Sequence, residues 1–438
     1  MKVAIITAGG AGMFCGSCMQ DNALARALRI ADVDAVLIPT YTPIRVDEEN
    51  ASSPKVFLGG INVYLDSVVP GWRRLPHFLK SWLDHPGVIR QLSRLSGSTD
   101  AASLGKLTID LLSGTHGPQR GEIVQLVDYI VDDLKPDIVV FSNALLSGVV
   151  PHLRSRFRGR ILTLLQGDDI FLDALRPQFR QPALRQLTDN CRSLDGILTH
   201  SRYYSSHMRD YLSLQGMEFR EIPLTMDGWH VEEKQAKTEI QADGDKGRVN
   251  IGYFARVCPE KGVQHFLDAA RQLLPIYPDV DFTIAGFLPQ QHRHWFDSLL
   301  AGVQKDVPSD RLRWLGSPST RSEKFKILQA FDLLFIPADY HEPKGLYVIE
   351  AALLGVPSLL PAHGAFPERI ADLGAGWLFD SSCKPPHGES SVRKLEDFVT
   401  TYTRNMDSDC KSRLIESATR LHSMQSTGPV VRSVLESF

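Results

Sequence analysis

Two apolar patterns alternate along the chain. Short continuous runs of branched and aromatic residues, bounded by glycine and polar turn residues, read as strands buried on both faces. Between them, apolar residues recur every three or four positions, as on a helix packed along one side. In the first half the runs are Val3–Thr7, Ala35–Ile38, Asp137–Phe141, Ile161–Leu165 and Gly196–Thr199. In the second half they are Val249–Ala255, Asp281–Ala285, Leu312–Leu315, Leu333–Ile336 and Pro357–Leu360. Strand and helix in alternation predict parallel sheets with crossover helices. Two such series in succession predict an α/β protein with two Rossmann-like, doubly wound parallel-sheet domains.

The interruptions set the expected boundaries. Asp227–Gly247 is rich in Glu, Lys, Asp and Gly with little apolar period, the composition of an exposed linker. It separates an expected N-terminal domain, residues 1–226, from a C-terminal one, residues 248–420. In the remaining stretch, 421–438, Ser426-Thr-Gly-Pro429 predicts a helix start, with Val430, Val431, Val434, Leu435 and Phe438 forming an apolar stripe that must dock. Residues 43–120 break the alternation and read as an inserted segment. Their Trp72-Arg73-Arg74 and Phe78-Leu-Lys-Ser-Trp82 stretches suit a helix that grips an acceptor or touches a membrane surface, although general grounds favour an inserted helical hairpin with its own small core.

Composition narrows the classes. A chain of 438 residues exceeds what one core usually organises, and 43% apolar with 23% charged residues is the make-up of a soluble globular protein. A net charge of -3 gives no electrostatic reason to expect a nucleic-acid partner. The opening MKVAIITAGG is too short an apolar run for a signal-peptide core, and no later stretch approaches about 18 apolar residues, so a cytoplasmic protein is expected. Six cysteines (Cys15, Cys18, Cys191, Cys258, Cys383, Cys410) are too dispersed for a disulfide framework. Cys15-Gly-Ser-Cys18 has C-x-x-C spacing, but no second ligand pair follows to complete a tetrahedral shell, so no metal is expected.

The chemistry concentrates in the second half. Phe335–Pro337 ends a strand, a loop carries Glu342, Lys344 and Gly345, and a helix beginning near Leu346 holds Glu350 in its first turns. The carboxyl end of a parallel strand is where open α/β sheets bind ligands. Backbone N–H groups over Lys344–Tyr347 and the positive end of the helix dipole favour a phosphate there, with Gly345 permitting close approach. The two carboxylates then serve as acceptors for hydroxyl groups, one on a ribose and one on a sugar. A second loop, Gly252-Tyr-Phe-Ala-Arg256-Val-Cys-Pro-Glu-Lys261-Gly262, brings a guanidinium and an ammonium to a strand end, where both can neutralise a diphosphate. A departing nucleoside diphosphate gains negative charge, so these cations count for more in the transition state.

Together these stretches resemble the retaining GT-B glycosyltransferases of group 1, the family 4-like set that includes bacterial mannosyltransferases, sucrose synthase and sucrose-phosphate synthase. Residues 252–263 are similar to the G-R-L-x-x-x-K-G segment of that group, and Glu342 to Glu350 to its E-x7-E pattern. Gly355-Val-Pro357 and His363-Gly-Ala-Phe-Pro-Glu368 extend the likeness, and Ile222-Pro-Leu-Thr-Met-Asp227 stands where the group has I-P-N-G-V-D. The resemblance implies two Rossmann-like domains facing a cleft, the first on the acceptor side, with the last helix crossing back to it. It implies a nucleotide-sugar donor, an acceptor hydroxyl on a sugar, lipid-linked sugar or small molecule, no cofactor, and retention of anomeric configuration. By the same resemblance Arg256 and Lys261 bind the donor phosphates, Glu350 the ribose and Glu342 the transferred sugar, with Lys344, Gly345 and Leu346 beside them. Two positions depart from the pattern. Gln166 stands where a histidine is usual, which leaves Asp168 to supply what that histidine would, and the N-terminal glycine loop falls on Gly16, with Gly9, Gly10 and Gly12 as rivals. A non-catalytic nucleotide-sugar-binding relative and a nucleotide-sugar hydrolase of the same fold remain the alternatives.

Overall fold

The computed structural model describes residues 1–9, 16–44, 46, 48–53, 57, 104–227, 248–308, 310–380, 388–402 and 408–438. The chain forms two compact units, Met1–Thr225 with Met424–Phe438, and Met226–Ser423. Most of the linker expected at 227–247, the Trp72–Trp82 stretch, Gly10, Gly12 and Cys15 lie outside the described residues. Among those residues no helix is long and apolar enough to cross a membrane.

The first unit is a six-stranded parallel sheet: β1 (Lys2–Thr7), β2 (Asp34–Pro39), β3 (Ile138–Phe141), β4 (Arg160–Leu164), β5 (Gly196–Thr199) and β6 (Phe219–Glu221), in the order β2-β1-β3-β4-β5-β6. Strand alternation divides its apolar residues between two layers. Val3, Ile5, Leu162 and Leu164 pack with Leu24 and Leu28 of the helix Gly16–Ile30 on one face. Ala4, Ile6, Phe141 and Ile197 pack with Ile130, Leu153, Leu187 and Met208 on the other. The second unit repeats the plan with β7 (Val249–Phe254), β8 (Val280–Ala285), β9 (Leu312–Trp314), β10 (Leu333–Phe335), β11 (Ser358–Pro361) and β12 (Trp377–Phe379), ordered β12-β11-β10-β7-β8-β9. Its core is aromatic: Phe266 lies edge-on to Tyr253 at 5.5 Å and to Phe282 at 5.2 Å, and Phe335 meets Phe379 at 6.0 Å. Two doubly wound parallel sheets in succession make this the GT-B fold.

In each sheet the winding direction reverses once. The chain adds β8 and β9 on one side of β7, then returns to place β10 on the other, pairing Leu333 with Ile251 and Leu334 with Gly252. The crevice between the loops leaving β7 and β10 is therefore the topological switch point of the second unit.

The terminal helix differs from its expected form. It spans Met424–Glu436, so Pro429 lies inside it rather than at its start. Met424, Thr427, Gly428, Val431 and Leu435 form the buried face, while Val430 is 49% exposed. The helical period explains the difference: positions 424, 428, 431 and 435 share one side, and Val430 is turned away from it. This face lies against the helix Gly16–Ile30 within the first unit, with Gly428 at the closest approach. A Cβ on Gly428 would stand 2.3 Å from the Ala27 carbonyl oxygen and 3.2 Å from the Ala31 Cβ. Gly428→Leu is therefore expected to lower stability by about 1–3 kcal/mol through overpacking. A urea or thermal midpoint equal to wild type would refute this contact.

Candidate functional site

Tight backbone geometry brings the two loops of the switch point together. After β7 the chain turns through Pro259–Lys261 and enters the helix Val263–Leu273 at Gly262. Gly262 has φ +75°, and a Cβ there would lie 1.7 Å from the Pro337 carbonyl oxygen, so only glycine fits this approach to the end of β10. The Asp339 and Tyr340 N–H groups donate to the Glu260 carbonyl at 3.1 and 3.3 Å, joining the loops through the main chain. Beneath them, the buried Tyr253 hydroxyl lies 3.2 Å from both the Arg256 and Lys261 carbonyl oxygens.

Lys261 and Glu342 meet at the centre. The Lys261 ammonium donates to Glu342 Oε2 at 2.7 Å and to the Tyr340 hydroxyl at 2.6 Å. Both the Tyr340 and Tyr347 hydroxyls donate to the same Oε2 at 2.7 Å. The second oxygen, Oε1, accepts from the N–H groups of Gly345 (3.1 Å) and Lys344 (3.3 Å). Two of the amides expected to face a phosphate are thus held by Glu342 itself. Glu342 is 4% exposed. Burial alone would push its carboxyl up, but the Lys261 charge and the hydrogen bonds from Lys261, Tyr340 and Tyr347 outweigh it and hold the group at about 2.

The remaining donor-site candidates surround this pair. Arg256 carries a side chain 49% exposed, with one guanidinium nitrogen 2.9 Å from Glu260 Oε1. Gly345, at φ +73°, precedes the helix Leu346–Leu353, which places Leu346 at its first position and Glu350 on its buried side. Glu350 pairs with Lys324 at 3.2 Å, both side chains being buried. The buried Arg369 fixes the loop from below, donating through Nε to the Lys344 carbonyl at 2.8 Å. Tyr340, Tyr347, Lys324 and Arg369 were not singled out from the sequence. The two tyrosines near Glu342, Tyr340 in the loop and Tyr347 in the first turn of the helix, carried a signal, since a buried tyrosine needs a partner for its hydroxyl. Lys324 and Arg369 carried none, as charged residues on helices are ordinarily exposed.

In the first unit Gly16 is the exposed first residue of the helix that follows β1. Gln166, at the end of β4, donates through Nε2 to Asp21 Oδ1 (2.8 Å) and to the Ser142 carbonyl (3.1 Å). Asp168 accepts from the Ala144 N–H at 2.7 Å and the Gln166 N–H at 2.9 Å, one on each oxygen. Burial pushes its carboxyl up to about 6 against the pull of these amides. The geometry is that of a clamp between the loops after β3 and β4. The Gly167 and Asp168 N–H groups donate in turn to the Tyr204 hydroxyl, at 2.9 and 3.0 Å.

Residues 234–412 match the family model described as Glycosyl transferases group 1, and this match and the fold together support a GT-B glycosyltransferase. Two curated relatives are lipopolysaccharide core biosynthesis mannosyltransferases. LpsB of Rhizobium meliloti is 30% identical over 126 residues, covering 29% of this chain and 35% of the relative. LpcC of Rhizobium leguminosarum bv. viciae is 27% identical over 164 residues, covering 37% and 44%. The chain thus spans less than half the length of the curated relatives it matches. Over the whole of both chains the structure is similar to sucrose-phosphate synthase from Thermosynechococcus elongatus, with TM-score 0.67 and 15% identity. It is likewise similar to Anabaena HepE in complex with UDP, with TM-score 0.64 and 16% identity.

The depressed Glu342 carboxyl has a consequence for stability. Its folded value of about 2 lies below the ordinary 4.5, so its contribution is present above pH 4.5 and is lost as pH falls toward 2. That contribution is on the order of 3 kcal/mol for a fully buried group. Glu342→Gln should therefore show a smaller loss of urea stability than wild type between about pH 6 and about pH 3. Equal losses in the two proteins would show that Glu342 is not held as a buried anion.

Proposed function

We propose that the chain transfers a sugar from a nucleotide-sugar donor to an acceptor hydroxyl with retention of anomeric configuration. The observation that carries this reading is the convergence of Arg256, Lys261 and Glu342 where the loops after β7 and β10 meet. The group 1 match over the same unit supports it. In this scheme Arg256 and Lys261 hold the donor diphosphate, Glu350 accepts from ribose hydroxyls, and Glu342 serves the transferred sugar. The bond between the anomeric carbon and the diphosphate oxygen breaks as the acceptor oxygen bonds to the same face of that carbon. The acceptor proton passes to a donor phosphate oxygen. Charge builds on the leaving diphosphate, and in this scheme the half-exposed Arg256 guanidinium and the Lys261 ammonium stabilise it without a metal ion. Asp168 is assigned to holding the loop after β4 rather than to proton transfer, because both its oxygens are engaged by backbone N–H groups.

The relatives support the finer assignments. LpsB and LpcC, named as mannosyltransferases of lipopolysaccharide core biosynthesis, favour a hexose as the transferred group and a saccharide hydroxyl as its acceptor. HepE, solved with UDP and with UDP-glucose, favours a nucleoside diphosphate as the handle. The proposed setting is the cytoplasm, with contact at the membrane face where such acceptors are assembled.

A thermal-shift screen with UDP, GDP and ADP should raise the melting temperature for one of them, because a ligand bound only by the native state adds to its stability. Arg256→Ala should then weaken that diphosphate by about 1.5–3 kcal/mol, one charge-assisted contact, with little change in melting temperature. Lys261→Ala should weaken it similarly and also destabilise the fold by about 3–5 kcal/mol, since it strands the buried Glu342 carboxylate. Unchanged diphosphate affinity in both variants would sink the donor assignment. Turnover of the corresponding nucleotide-sugar should persist in excess chelator, and activity restored only by Mg²⁺ or Mn²⁺ would overturn the metal-free scheme.

A further inference from the structure

Glu342 sits in a cage composed of donors. Its five hydrogen-bond partners are the Lys261 ammonium, the Tyr340 and Tyr347 hydroxyls, and the Lys344 and Gly345 N–H groups. A carboxylate offers about four lone-pair positions, so five donors exceed what it can serve well. The mismatch shows in the distances: the three contacts to Oε2 are all 2.7 Å, whereas the two amides reach Oε1 only at 3.1 and 3.3 Å. An ammonium, two hydroxyls and two amides before the first turn of a helix form the donor set of a tetrahedral oxyanion, which has more lone pairs and points them in more directions.

Resting on the reading that a diphosphate binds at this sheet edge, we propose that the cage is a donor-phosphate site in which Glu342 is the resident anion. The phosphate enters by displacing the Glu342 carboxylate, and Tyr340 and Tyr347 become phosphate-binding residues. The incoming phosphate replaces the carboxylate as the counter-charge of Lys261, so the buried ammonium is never left without an anion. Lys261 Nζ stands 4.4 Å from the Tyr340 ring centroid and 5.0 Å from that of Tyr347, so the ammonium keeps aromatic neighbours when the carboxylate leaves. Only the side chain has to move, because the Ala365 N–H holds the Glu342 carbonyl at 2.8 Å and Gly364 packs closely on its backbone. The strong preference of the cage for a negative charge is visible in the Glu342 carboxyl, held at about 2 although buried. An internal competitor lowers the apparent affinity for the ligand that must replace it. On displacement the carboxylate exchanges buried donors for hydroxyl partners, which fits its assignment to the sugar.

The test is calorimetric titration of the full chain with inorganic pyrophosphate and with UDP, GDP and ADP, in wild type, Glu342→Gln and Glu342→Asp. A neutral amide competes poorly, and the shorter carboxylate cannot span all five donors, so both variants should bind pyrophosphate and the preferred nucleoside diphosphate about tenfold more tightly than wild type, or more. Adding Tyr340→Phe and Tyr347→Phe to Glu342→Gln should reverse most of that gain. Melting curves identify any variant that has lost its fold, and the Asp variant serves if the Gln variant has. Wild-type binding of a nucleoside diphosphate with no tightening in either folded variant overturns the displacement and leaves the transferase reading intact. Tightened pyrophosphate binding without turnover of any nucleotide-sugar supports the displacement and overturns the transferase reading. Absence of binding by every protein overturns both.

Discussion

The buried ion pair between Lys261 and Glu342 is the constraint on which the candidate site depends. Removing two charges from water costs several kcal/mol for each, and their attraction offsets this only when the remaining donors and lone pairs are also satisfied. The surroundings meet that condition with two tyrosine hydroxyls, two backbone amides and a main-chain seam between the loops. Gly262 and Tyr253 follow from the same requirement. The first lets the β7 loop approach Pro337, and the second holds the Arg256 and Lys261 carbonyls from beneath. Arg256, with half its side chain exposed, is the one member of the set that the pair does not tie down.

The two units treat their strand-end loops alike. In each, a buried carboxylate receives the backbone N–H groups of a turn that no strand or helix can satisfy: Asp168 takes those of Ala144 and Gln166, and Glu342 takes those of Lys344 and Gly345. They differ in compensating charge. Glu342 has Lys261 within hydrogen-bond distance and is held far below the ordinary carboxylate range, whereas Asp168 is held by amides alone, with the charge of Asp169 nearby, and is pushed up to about 6. A buried carboxylate is thus held as a firm anion in one unit and raised toward neutral pH in the other.

The fold was legible because buried parallel strands leave continuous apolar runs, as Val3–Thr7 and Val249–Ala255 do, and ten of the strands lie on such runs. β6 and β12 were missed. Each is a three-residue edge strand, Phe-Arg-Glu in one case and Trp-Leu-Phe in the other, too short to show a period. The positions of Arg256, Lys261, Glu342 and Glu350 could be read from motif spacing, but their pairing could not. That Lys261 would meet Glu342 depends on strand order, and β10 lies beside β7 only after two intervening strands have been laid on the other side. Val430 was misread for a simpler reason: it adjoins Val431 in the chain, but successive residues of a helix point to different sides, and the buried side is the one shared by Met424, Gly428, Val431 and Leu435.

The chain leaves the first unit after Thr225 and returns to it at Met424, where Met226 N–H donates to the His422 carbonyl at 2.7 Å just before the returning helix. One consequence concerns the order of synthesis. Domains generally fold as they emerge from the ribosome, N-terminal first. Here the helix Gly16–Ile30 waits for Val431 and Leu435, which are made only after every residue of the second unit. The second unit can close as soon as its own sequence is complete, whereas the first must keep an apolar face open through nearly two hundred further residues of translation. During that interval the apolar side of the helix Gly16–Ile30 around Ala27 and Leu28 lacks the cover that Gly428, Val431 and Leu435 later provide.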